Sequence, residues 1–282
     1  MWYLPEWRGN LLSPGCTPAR ALTEYSQIFG SVEGNTTFYA LPDRIRLHGW
    51  LDQASDHFRF CFKVPRDISH AADPLMAWNG KPGALFRGFL DQILASAPHK
   101  LGVVLLQLPA TFSAERMSAL FACLDQLVML KGVVWALECR HLSFFDKSRN
   151  EQQLLRGLAD RGVDRVMFDS RGLFHDESGT EEILDARRKK PRMPVHAVAT
   201  GNNPVVRFIG HTEYEQNRLF LQQWYKRIVQ WQAEGKTPWV FWHTAGNRDV
   251  GEFYRWTMAN IWNQTITLPG EVGGGVTPDL WG

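Results

Sequence analysis

The chain has 282 residues, 44% of them hydrophobic and 21% charged, with a formal net charge of +2. That length suits one α/β barrel with a substantial core, and the near-neutral balance excludes a general polyanion-coating protein. No apolar run approaches the ~18 residues that cross a bilayer. MWYLPEWRGN lacks the pattern of a secretory signal, and the dispersed Cys16, Cys61, Cys123 and Cys139 form no CxxC pair, so a cytoplasmic protein with reduced thiols and no membrane partner is expected.

Eight short β-branched or aromatic runs alternate with segments of helical periodicity. Trp2–Leu4 is the first run. Thr17-Pro18 then predicts a capped helix start, with Leu22, Tyr25 and Phe29 as its apolar stripe and Gly30 as its stop. Val32–Asn35 and Phe58–Val64 follow, and Leu85, Phe86, Phe89, Leu90 and Ile93 make the next helical face. Gly102–Leu108 precedes a segment opened by Ser113, with Met117, Leu120, Phe121, Leu124 and Val128 on one side. Val133–Cys139, Val163–Asp169, Val205–Ile209 and Trp239–Thr244 complete the strands. A last stripe runs from Leu219 and Phe220 through Trp224 and Ile228 to Trp231. Eight strands alternating with helices predict a closed, somewhat irregular (β/α)8 TIM barrel over residues 1–267. The competing open, doubly wound sheet lacks a Gly-x-Gly-x-x-Gly after the first strand.

Residues 268–282 read as a Gly/Pro-rich tail. The 174–198 segment carries Glu181, Glu182 and Asp185 early and Arg187-Arg188-Lys189-Lys190-Pro191-Arg192 late. That order suits the dipole of one solvated helix, with a nucleic-acid contact as the alternative.

Side chains alternate across a strand, so parity separates barrel interior from helix-facing layer. Phe58, Phe60 and Phe62 share the helix side, which turns Arg59, Cys61 and Lys63 inward. The same reasoning turns Gln107, Glu138, Asp169, Arg207 and His243 inward and puts Glu33 and Asn35 on one face. Glu33, Asn35, Lys63, Gln107, Glu138, Asp169, Arg207 and His243 lie in the C-terminal halves of their strands, where barrel enzymes hold their chemistry. Unpaired buried charges are costly. These groups are therefore expected to face a wet pocket, bind a ligand, or pair, as Lys63 with Glu138 and Arg207 with Asp169. Asn35-Thr36-Thr37 and Asn263-Gln264-Thr265 also match a glycan acceptor, which matters only in a secretory lumen. A pocket position is the preferred reading for Asn35.

The blocks VEGNTTFYALP (32–42), FRFCFKVPRDISH (58–70), LLQLPATF (105–112), ALECRHLSFF (136–145), DSR (169–171) and RFIG (207–210) occur in one order. Together they resemble the YecE-like barrel family, a domain of unknown function, and RKKPRMPVHAV at 188–198 resembles its enterobacterial branch. The resemblance implies a TIM barrel, no established activity, and a shared pocket at Glu33, Asn35, Lys63, His70, Gln107, Glu138, Arg140, Asp169 and Arg207. Trp242-His243-Thr244 departs from an aromatic-Asn-Asn form common in the family, and Ile209 stands where many relatives carry His.

The chemistry these residues suggest is an enzyme acting on a phosphorylated or otherwise anionic ligand. Lys63, Arg140, Arg171 and Arg207 would anchor the anion, with Asn35 and Gln107 as polar contacts. Glu33, Glu138 or Asp169 would serve as base and His70 or His243 as acid, so phosphoester hydrolysis fits. The loops Gly210-His211-Thr212 and Ala245-Gly246-Asn247-Arg248 lie where barrels often hold phosphate. A divalent metal on Glu33, Glu138, Asp169 and His243 is disfavoured, because Lys63 and Arg207 would repel it. A glycosidase using Glu33 and Glu138 is weaker still. Two non-enzymatic alternatives remain: a nucleotide or nucleic-acid binder using the 187–192 run, and a structural or partner-binding barrel whose ion pairs serve the fold alone.

Overall fold

The computed structural model describes residues 2–270. Seven of the expected strands form: β1 (Ser31–Gly34), β2 (Arg59–Phe62), β3 (Val103–Gln107), β4 (Val134–Glu138), β5 (Asp164–Asp169), β6 (Val205–Ile209) and β7 (Trp239–His243). Trp2–Leu4 does not. Pro5 has no N–H to give a ladder, and the Leu4 carbonyl accepts from Trp7 N at 3.1 Å, turning the chain into the one-turn helix Pro5–Trp7.

All pairings are parallel: β1 with β2, and β3-β4-β5-β6-β7 in a second sheet. Isolated bridges from Phe60 to Leu101 and from Lys63 to Leu105 tie β2 to the β3 segment. Among the described residues nothing pairs β7 with β1. A cleft of about 120 Å³, lined by Trp7, Tyr25, Phe29, Val240 and Trp242, lies between them. The closed eight-stranded TIM barrel expected from the sequence is therefore overturned. The chain forms a five-stranded parallel half-barrel extended by a two-stranded sheet, with an open seam.

The strands still surround a common interior. Alternate residues of β2 to β7, namely Cys61, Val103, Leu105, Ala136, Val166, Val205 and Phe241, meet in one buried cluster. The opposite faces pack under helices. Phe58, Phe60 and Phe62 form a ladder with ring centroids 5.1 and 5.7 Å apart, covered by Phe86, Phe89, Leu90 and Ile93 of the Lys81–Ser96 helix. Trp224, Ile228 and Trp231 of the Arg218–Ala233 helix cover Val206 and Phe208 of β6. Leu85 and Leu219, read as members of these stripes, point outward instead. A buried side chain of this size stabilises by roughly 1.5–3 kcal/mol, so the extensive helix-facing layers contribute more than the small interior cluster.

Three segments bear on the strand ends. The first helix starts at Ala21, one turn later than Thr17-Pro18 suggests, with Ala21 N donating to Thr17 O at 3.0 Å. The Glu181–Lys189 helix is capped by Thr180 and runs from glutamates to bases, as its dipole favours; it stops two residues before Pro191. Leu268 is buried and Gly270 N donates to Asn10 O at 3.0 Å, while the rest of the predicted tail lies outside the described residues. All four cysteines are buried and unpaired. No described helix is long and apolar enough to cross a membrane.

Candidate functional site

Register brings the strand ends to one level: Gln107 sits opposite Glu138, and Ile209 opposite His243. The inward side chains at this level form one connected network. Lys63 Nζ lies 3.0 Å from Glu33 Oε1 and donates to Gln107 Oε1 at 2.9 Å. Arg207 grips Glu33 with two nitrogens (2.6 and 2.9 Å) and reaches Glu138 Oε2 with a third (2.7 Å). Arg140 donates to Glu138 Oε1 at 2.7 Å and to Gln107 Oε1 at 3.0 Å. His243 Nε2 stands 3.6 Å from Glu33 Oε2, a contact longer than a hydrogen bond. Phe168 lies beneath both guanidinium groups, with Arg207 5.2 Å and Arg140 5.8 Å from its ring centre.

The ion pairs differ from those expected. Lys63 pairs with Glu33 rather than Glu138, and Arg207 takes Glu33 and Glu138 rather than Asp169. Burial alone would raise both glutamates. Arg207 and Lys63 hold Glu33 well below the usual carboxylate range, and Arg207, Arg140 and Lys63 bring Glu138 down to about 2. Burial and Arg207 lower Lys63, with the glutamates opposing. Burial lowers His243 against the pull of Glu33, and burial with Arg66, Arg140 and Lys63 lowers His70. The carboxylates are thus weak, fully engaged bases, and the histidines favour their neutral form. Acid catalysis by either histidine would need its protonated form, which these surroundings disfavour.

His70 stands at the end of the one-turn Arg66–Ser69 helix, its Nδ1 3.0 Å from Ser69 Oγ and its ring edge-on to Phe38. Asn35 opens the one-turn Thr36–Tyr39 helix and lines the seam cleft with Glu33 and His243. The sequon's Thr37 is fully buried and donates to Lys63 O at 2.7 Å. Asp169 and Arg171 lie elsewhere. Val166 and Phe168 take the inner face of β5, so Asp169 points into the helix layer, where it accepts from Arg171 and from Trp224 Nε1 at 2.7 Å.

Lys190, read from sequence as part of a solvated run, is only partly exposed. It leaves the helix end and donates to Ala245 O at 3.0 Å, two residues beyond His243. The three cations before it are engaged. Arg187 donates to the carbonyls of Leu173, Phe174 and Asp176, Arg188 pairs with Glu181 and Asp185, and Lys189 pairs with Asp185. Among the described residues no three His, Cys, Asp or Glu side chains come together as a metal-binding group.

The model of the family described as "Protein of unknown function DUF72" matches residues 1–262. The chain is 42% identical over 273 residues to the UPF0759 protein YecE of Escherichia coli strain K12, covering 96% of this chain and 93% of that one. It is similar in structure to a DUF72 family protein from Enterococcus faecalis, with a TM-score of 0.68 at 18% identity and 94% of each chain covered. A DUF72 family protein from Thermotoga maritima gives a TM-score of 0.63 at 20% identity, covering 90% of this chain and 95% of that one. At such identities the two structures speak to the fold alone. By family match and by extent of identity, the chain belongs to the DUF72 family.

Proposed function

We propose that the strand ends receive a small phosphorylated or otherwise anionic ligand, and that phosphoester hydrolysis is the turnover to assay there. The observation that carries this reading is the charge of the network. Among the described residues Lys63, Arg140 and Arg207 form ion pairs with Glu33 and Glu138 alone, three positive charges against two negative. The Arg140 side chain is 22% exposed and so offers that charge to solvent. Neutral His70 and His243 flank the cluster and could take a proton from water, a role the fully paired glutamates fill poorly.

A second reading has its own support: all four carboxylate oxygens of Glu33 and Glu138 are taken by cations. On that reading the network serves the fold alone. The nucleic-acid alternative loses ground, because most of the 187–192 cations are committed within the chain.

Calorimetric titration with inorganic phosphate, beside an aryl phosphate hydrolysis assay, separates the readings. The anion reading expects saturable heat in the wild type and affinity about tenfold or more lower in Arg140→Ala. Absence of binding by both proteins would favour the structural role.

A further inference from the structure

The open seam leaves one strand edge and a group of aromatic rings without a partner. Trp239 N donates to Pro204 O and Gly210 N to His243 O, so Trp239, Phe241 and His243 spend their main-chain groups on β6. Val240 and Trp242 therefore turn their N–H and C=O groups toward the seam, where no described strand pairs them. Both residues line the cleft of about 120 Å³, together with Trp7, Tyr25, Phe29 and Asn35. Tyr25, Phe29 and Trp242 are only partly buried, which leaves ring surface uncovered. Asn35 opens the Thr36–Tyr39 helix without capping it, so its side-chain amide is uncommitted there. Asn247, also in the lining, accepts from Trp7 Nε1 at 2.7 Å through its carbonyl and from Thr244 N at 3.2 Å through Oδ1. Its Nδ2 group, with two protons to give, donates to nothing among the described residues.

Ring faces in the walls, with unspent amide and main-chain groups on the rim, set the chemistry of an occupant. A cavity of about 150 Å³ admits benzene, so this cleft takes a single six-membered ring. Glu33 is the one carboxylate in the lining, and Lys63 and Arg207 already hold it, so a charged ligand would lack a partner. A sugar would need partners for hydroxyls around its whole rim, more than two amides and one strand edge supply. We propose that the seam cleft is a binding site for an uncharged single-ring heteroaromatic of the pyrimidine kind. Its faces lie against the aromatic walls, and its ring N–H and carbonyl groups pair with Asn35, Asn247 and the β7 edge. The site does not depend on the anion reading and stands or falls without it.

Saturation-transfer NMR titrations of the full chain with uracil and with glucose test the assignment. Uracil should bind saturably and glucose should not. Asn35→Ala should weaken uracil about threefold to tenfold, the loss of one hydrogen bond. Ser31→Phe, which fills the cleft from β1, should weaken it about tenfold or more. Thermal melts establish that the variants fold. Asn35 caps nothing, so its variant should melt as the wild type does, and it decides the test if the phenylalanine variant does not fold. Absence of uracil binding, uracil affinity unchanged in either folded variant, or glucose binding in its place overturns the inference. None of these outcomes bears on phosphate binding at Arg140, so the two proposals fail separately.

Discussion

Glu138 at the end of β4 and Asp164 at the start of β5 are both buried carboxylates on the inner side of the half-barrel, yet they respond oppositely. Glu138 meets Arg140 and Arg207 and is brought down to about 2. Asp164 accepts from Asn203 N at 2.9 Å, its Oδ2 has no hydrogen-bond partner, and burial pushes it up to about 6. The two ends of one sheet thus differ in cation supply rather than in burial. The strand ends gather charge, as a binding site does, while the strand starts hold a carboxyl that gains by staying protonated.

The largest test of this contrast removes the shared cation. Arg207→Met should cost about 3–5 kcal/mol in urea denaturation, because two buried glutamates lose their common partner. An unchanged midpoint would show that the network is not integrated.

The next test uses pH. Asp164 binds its proton more tightly when folded, so its contribution is complete below pH about 4 and is lost as pH rises through about 6. The loss is up to about 3 kcal/mol. Glu138 has the opposite sign: its contribution is present above about 4.5 and disappears as pH falls through about 2. Stability measured against pH should therefore show opposing slopes, and Asp164→Asn should flatten the decline between pH about 4 and 6. A decline unaltered in that variant would assign it to other groups.

A smaller effect sharpens the distinction between the two faces of β5. Arg171→Ala removes charge-assisted hydrogen bonds to Asp169 in the helix layer and should cost about 1.5 kcal/mol. Phosphate affinity should stay within about twofold, since Arg171 lies outside the strand-end network. A large change in affinity would place Arg171 in the site after all.

Much of this arrangement was readable from the sequence where strands alternate cleanly. Phe58, Phe60 and Phe62 announce one face and thereby the inward turn of Lys63. β5 offers no such cue: Asp164, Val166 and Phe168 share one parity and Arg165, Met167 and Asp169 the other, so each face carries charge. Its residues are buried on both sides, and alternation cannot separate two buried faces. The barrel failed at its shortest run, because Trp2–Leu4 leads straight into Pro5 and local turn formation outcompetes pairing. The turn of Lys190 toward Ala245 was hidden for a related reason. Helical periodicity describes residues up to Lys189, and the next residue follows the path of a loop that only the tertiary fold determines.

An open receiving site and a sealed brace are the two states in which the strand-end network can stand. A crystal structure grown in saturating phosphate addresses that directly. The expected result is a tetrahedral anion at the strand ends, within hydrogen-bond distance of Arg140. Phosphate absent from that position, with Arg140 still bound to Glu138 and Gln107 and no anion beside it, would contradict the account.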